Sequence, residues 1–131
     1  MANKLITQEG KQKLLKLGFL PNNADPNNFQ YIALGGANSN AAKGGSFQEI
    51  DGNNYQRVSV MEESVESQSI TISAIFDDQN YNSSQGTEIR EIAIVDNDTK
   101  TNDIFFAYAE VPPITKTGNI SLKYTIIISI E

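Results

Sequence analysis

ISLKYTIIISIE, residues 120–131, decides the fold. Its apolar side chains recur at every second position, Ile120, Leu122, Tyr124, Ile126, Ile128 and Ile130, which is the period of a strand with one face on a core. Ile127 adds an apolar group to the opposite face, so water alone does not back this strand. A fully buried aliphatic side chain stabilises a fold by about 1.5–3 kcal/mol, so a buried face of this kind would contribute roughly 10 kcal/mol gross. It needs a second layer to pack on.

Working outward, the preceding segments supply that layer. FQYIAL, residues 29–34, alternates Phe29, Tyr31 and Ala33 against Gln30, Ile32 and Leu34. Residues 55–60 and 68–76 read as further strands, the second through Ile70, Ile72, Ala74 and Phe76. Residues 88–95 carry apolar groups on both faces, as a central strand does. Residues 104–111 form another, and Pro112 and Pro113 are expected to end it, because proline donates no ladder hydrogen bond. The acidic stretch Met61 to Glu66 reads as a strand end or a solvated turn. Residues 35–46 and 77–87 read as loops.

Ahead of the strands, Thr7 is placed to cap a short helix ending near Leu17, with Gly18 as its stop. Ile6, Gly10, Leu14 and Leu17 are spaced as one helical stripe, and Lys11, Lys13 and Lys16 suit its solvated side and its negative end. The expected fold is therefore mainly β, an antiparallel β-sandwich with a short N-terminal α-helix. One domain over 1–131 is expected, the helix at about 7–17 and the sandwich at about 29–131.

Composition narrows the chemistry. The chain has 131 residues, no histidine and no cysteine. It can therefore hold neither a Ser-His-Asp triad, nor a thiol nucleophile, nor a zinc site of His and Cys ligands. A net charge of −6 repels a phosphate backbone, so nucleic-acid binding is not expected. No run is long enough for a membrane span and the start carries no apolar leader, so a soluble protein made in a cytoplasm is expected.

Candidate sites weaken on inspection. The glycine loop fails as a P-loop because Lys43 follows Ala42 and precedes Gly44, out of register for GxxxxGK[ST]. Asp96, Asp98 and Asp103, and Asp77, Asp78 and Asn80, offer hard oxygens, but the glycine and glutamate of a calcium loop are missing. Glu62 and Glu63 read as a solvated acidic turn. Asn82, Asn97 and Asn119 head glycosylation tripeptides without an export signal to use them. Arg90 and Glu91 stand out, since charges in an apolar strand need an ion pair or a subunit contact if buried.

Four segments in order carry a resemblance: ITQEG at 6–10, YIALG at 31–35, EIREIAIVD at 88–96 and IFFAYAEVPP at 104–113. Together they are similar to the N-terminal domain of phage tail-collar fibre proteins, the module that attaches tail fibres to the baseplate. The resemblance implies a virion structural protein without enzymatic activity or cofactor, assembled in the host cytoplasm. It also implies a homo-oligomer, a trimer foremost, joining tail or baseplate proteins to a fibre or receptor-binding protein. Arg90, Glu91, Ile92, Pro112 and Pro113, with Leu14 and Leu17 on the helix, are the assembly residues it singles out. In that family fibre sequence follows the module, whereas here only Glu131 follows the last strand, so a free-standing adaptor or the attachment part of a longer product is expected. The alternative is a carbohydrate-binding sandwich that meets the host surface, with Tyr55, Tyr81 and Tyr108 as stacking platforms.

Overall fold

A computed structural model of the chain describes residues 7–21, 28–36, 40–50, 56–66, 68–77, 87–98, 103–117 and 120–130. Tyr55, Tyr81, Asp78, Asn80, Asn82 and Asn119 lie outside them, as does Ile6.

The helix α1 covers Gln8–Phe19. Thr7 starts it as expected, its hydroxyl accepting a hydrogen bond from the Gly10 amide at 3.0 Å. Gly18 does not stop it: the helix runs on to Phe19. Asn28 closes that end, its side-chain amide donating to the carbonyls of Leu17, at 3.3 Å, and of Leu20. The buried stripe is also not the expected one. Leu15 and Phe19, four apart, enter the core, while Leu14 is 58 % exposed and Leu17 46 %.

Seven strands follow: β1 Tyr31–Gly35, β2 Val58–Ser59, β3 Met61–Glu66, β4 Ser69–Phe76, β5 Thr87–Val95, β6 Phe105–Lys116 and β7 Leu122–Ser129. They form two antiparallel sheets, β2-β1-β5-β6 and β3-β4-β7. The architecture is the mainly β sandwich with an N-terminal helix that the alternation predicts. A core of Ile32, Leu34, Ile89, Ile92 and Ile94 from one sheet and Ile70, Ile72, Ala74 and Phe76 from the other fills the space between them, with Leu15 and Phe19 of the helix. Strand β5 is central as expected, and its second face packs Ala93 and Val95 with Ala33, Tyr31, Phe47 and Phe105.

Two expectations about strands give way. Residues 61–66 are neither turn nor strand end but the edge strand β3, paired with β4 from Met61↔Ser73 to Glu66↔Ser69. All but one of its six residues are exposed, so acidic side chains cost nothing there. Pro112 and Pro113 do not end β6, which continues to Lys116. The ladder passes from Glu91↔Glu110 to Ile89↔Ile114, so three residues of β6 lie opposite Arg90 alone. The prolines sit in this bulge of an edge strand, where no ladder donor is demanded of them.

Candidate functional site

The two sheets meet differently on their two sides. On one side the chain passes directly from β2 through buried Val60 into β3, and the Val60 amide donates to the Gln30 carbonyl at 2.8 Å. On the other side stand β6 and β7, each the outer strand of its sheet. They join at a tight crossing, where the Ile120 amide donates to the Thr117 carbonyl at 3.3 Å. Lys116 locks that crossing. Its wholly buried ammonium donates to the carbonyls of Asp77 (2.9 Å), Thr117 (3.0 Å) and Ile120 (2.6 Å), tying the ends of β4 and β6 to the start of β7.

Away from this lock the strands enclose an apolar mouth of about 330 Å³, lined by Ile92 and Ile94 at its floor, Phe106 to Ala109 on β6, and Ile126 to Ser129 on β7. The side chains on the two lips explain the gap. Strand β6 turns Ala107 and Ala109 inward, opposite Ile94 and Ile92 in its own sheet, and alanines are too short to reach the isoleucines of β7. The inner face of β7 is consequently half-buried along its whole length, not fully buried as the alternation suggests. At the rim Ile127 is 68 % exposed and Phe106 48 %. The Tyr124 hydroxyl is buried with no hydrogen-bond partner among the described residues, and burial pushes its pKa up.

Of the residues the resemblance singles out, the sheet register brings Arg90, Pro112 and Pro113 together in one bulge beside the strand that forms the mouth. Ile92 is buried in the floor of the mouth itself. Glu91 is buried on the other face of β5, between Gly35 and Glu110 in the ladder, and Arg90 pairs with Glu88 two residues back. Leu14 and Leu17 lie elsewhere, on the outer face of α1. Tyr108 is about one-third exposed, with its ring stacked on Phe47 at 5.4 Å and edge-on to Phe105. One of its faces is thus already used.

Arg57 forms a node that its place in an expected strand does not signal. The Arg57 guanidinium donates to both carboxylate oxygens of Glu49 (3.0 and 2.7 Å), to Asp103 (2.6 Å) and to the Asn97 carbonyl (2.9 Å), and lies over the Phe105 ring. Burial would lower its pKa, but the hydrogen bonds and charges of Glu49 and Asp103 outweigh that and raise it. Asp103, weighed above as a calcium ligand, is therefore an arginine partner. The node staples the segment carrying Phe47 and Glu49 onto the outer face of the β5–β6 sheet. Phe47 lies so close to Gly35 that a β-carbon there would come within 2.6 Å of its ring. Only the pairing of carboxylates and an arginine far apart in sequence could have signalled this, and periodicity does not report it.

Elsewhere, Glu62 and Glu63 serve as ion-pair partners along the β3 edge. Glu62 faces Lys16 of the helix at 3.9 Å, and Glu63 accepts from Ser73 (2.6 Å) and Lys123 (2.8 Å), which holds its carboxyl below the usual range. Comparison of the chain with protein-family models, with curated proteins and with solved structures found no match.

Proposed function

We propose that this chain is a structural protein of a phage virion, a baseplate or tail-tip adaptor that attaches a tail fibre or receptor-binding protein to the tail. The observation that carries the reading is the open apolar mouth between β6 and β7, each the outer strand of its sheet among the described residues. A strand edge is a template for another chain, and proteins that remain alone blunt such edges with charges, bulges or covers. Here the mouth presents the regular edge of β7 and the regular run from Ala107 to Glu110 of β6, between the bulges of that strand, with an apolar floor between them. Apolar surface left in this form favours assembly over catalysis. The order of the four family-like segments supports the same reading, and three of the residues they nominate, Arg90, Pro112 and Pro113, fall in one bulge between β5 and β6. In this role the chain forms a homo-oligomer, a trimer foremost, works in the virion after assembly in the host cytoplasm, and uses no cofactor.

The test is made on the particle. Phage grown without this chain should carry tails but lack attached fibres, and antibody to the chain should label the tail tip of complete particles. Fully fibred, infectious particles without the chain would overturn the reading. Binding of the isolated chain to glycans, lost on Tyr108→Ala, would instead favour a carbohydrate-binding sandwich.

A further inference from the structure

We propose that the mouth is filled by a second copy of this chain, strand β6 of one copy pairing edge to edge with β7 of the next. This rests on the reading of the chain as a self-associating attachment protein, and it names the interface that reading leaves open. Two observations select this pairing over the two like-with-like alternatives, and a third sets aside the other outer strands. The first is size: beyond Phe106, whose ring is taken up by Phe19 and Phe29, the inward residues of β6 at the mouth are Ala107 and Ala109, and those of β7 are Ile126 and Ile128. A β7 strand laid beside β6 would set isoleucines next to alanines, whereas β7 on β7 crowds large beside large and β6 on β6 leaves the space unfilled.

The second is charge. Between Phe105 and Val111 the β6 strand carries one charged residue, Glu110, and from Leu122 to Ser129 the β7 strand carries one, Lys123. Pairing like edges repeats one sign on both strands, and pairing β6 with β7 brings opposite signs. Lys123 already binds Glu63 at 2.8 Å, and an ammonium has three donors, so a second carboxylate can share it.

The third is edge protection. The other outer strands offer less: β2 is two residues long, and β3 is acidic and bulged between Glu62 and Ser64, whereas β6, bulged on either side of this stretch, keeps regular register from Ala107 to Glu110 with one charge there. Strand β7 has eight residues with no glycine, proline or bulge in its ladder to β4. Joining β6 to β7 also makes one continuous sheet across copies, and such a head-to-tail contact closes into a ring when its rotation allows.

The absence of native cysteine makes the test direct. Single-cysteine variants are made on the outward face of β6 (Tyr108→Cys, Glu110→Cys) and of β7 (Lys123→Cys, Thr125→Cys, Ile127→Cys), checked for fold by circular dichroism, mixed in pairs and oxidised. Residues opposed across an antiparallel ladder have α-carbons about 4.5–5.5 Å apart, within disulfide reach. The expected result is an oligomer by light scattering, with cross-linked dimers when a β6 variant meets a β7 variant and none from any variant alone. Cross-links within one variant would overturn the pairing in favour of like edges. An oligomer with no cross-link at any position would overturn it while leaving self-association standing, and a monomer throughout would overturn both, leaving the adaptor role to the particle experiment.

Discussion

Strands β3 and β7 flank the same partner, β4, and share little else. Strand β3 spends its length on Glu62, Glu63, Ser64 and Glu66, breaks its ladder with a bulge, and is tied down by ion pairs to Lys16 and Lys123. Strand β7 runs regular and apolar, with Ile127 in the open and its inner face only half covered. One sheet therefore has an edge that refuses a partner and an edge that invites one. The difference teaches that strand hydrophobicity and burial are separate properties: the most apolar strand of the chain is not the most buried. Strand β4 beside it is more deeply buried, because it has neighbours on both sides and the other sheet above it.

The sharpest way to break this contrast is to shave the same residue type from the centre and from the edge. Ile72 and Ile126 are ladder partners, the first wholly buried and the second half-buried. Ile72→Ala should cost about 4 kcal/mol and Ile126→Ala about 2 kcal/mol in denaturant titrations of the unassociated chain, since the cost grows with the cavity left behind. Equal losses would mean that β7 is buried as deeply as β4. Next comes the staple on the other sheet. Arg57→Ala strands the carboxylates of Glu49 and Asp103 and should cost about 3 kcal/mol by the same measurement.

The helix offers a pair of adjacent leucines. Leu15→Ala should lose about 2–3 kcal/mol and Leu14→Ala no more than about 0.5 kcal/mol, because one is in the core and the other in water. Smaller still, Ile127→Lys should change the stability of the single chain by less than about 0.5 kcal/mol while weakening its self-association in light scattering, as expected for a rim residue.

The smallest effect belongs to the protected edge. The Glu63 carboxyl is held low by Lys123 first and by Ser73, so its folded pKa lies below its unfolded value near 4.5. A lowered carboxyl contributes stability that is present above the unfolded pKa and is lost as pH falls through the folded one. Acidification below about pH 4.5 should therefore speed amide exchange in β3, and Glu63→Gln should remove that pH dependence. Exchange in β3 that ignores pH in both proteins would show that the ion pair does not secure the edge.

Local signals were legible where one residue or one period sets the outcome. Thr7 caps its helix because a hydroxyl before the first turn meets an orphan amide, whatever packs on the helix later. Ile32 and Leu34 point inward and Tyr31 and Ala33 outward because side chains alternate on any strand. The buried face of α1 was not legible in this way. Leucines at 14, 15 and 17 and Phe19 cover more than half the helix circumference, and the sheet surface beneath selects Leu15 and Phe19. Nor were the ends of β6, since a proline stops a strand only where the ladder needs its amide, and an edge bulge does not.

The sequence by itself determined the mainly β class, the alternating faces, the capped leading helix and the chemistry that a chain without histidine or cysteine forgoes. Only the tertiary structure decided which strands became edges, and with them the open mouth, the Arg57 staple and the Lys116 lock. The physical reason is range. Backbone period and capping act over a few neighbouring residues, whereas Ile126 beside Ile72, Arg57 beside Asp103, or Lys116 beside the Asp77 carbonyl are meetings of distant segments that exist only once the chain has folded.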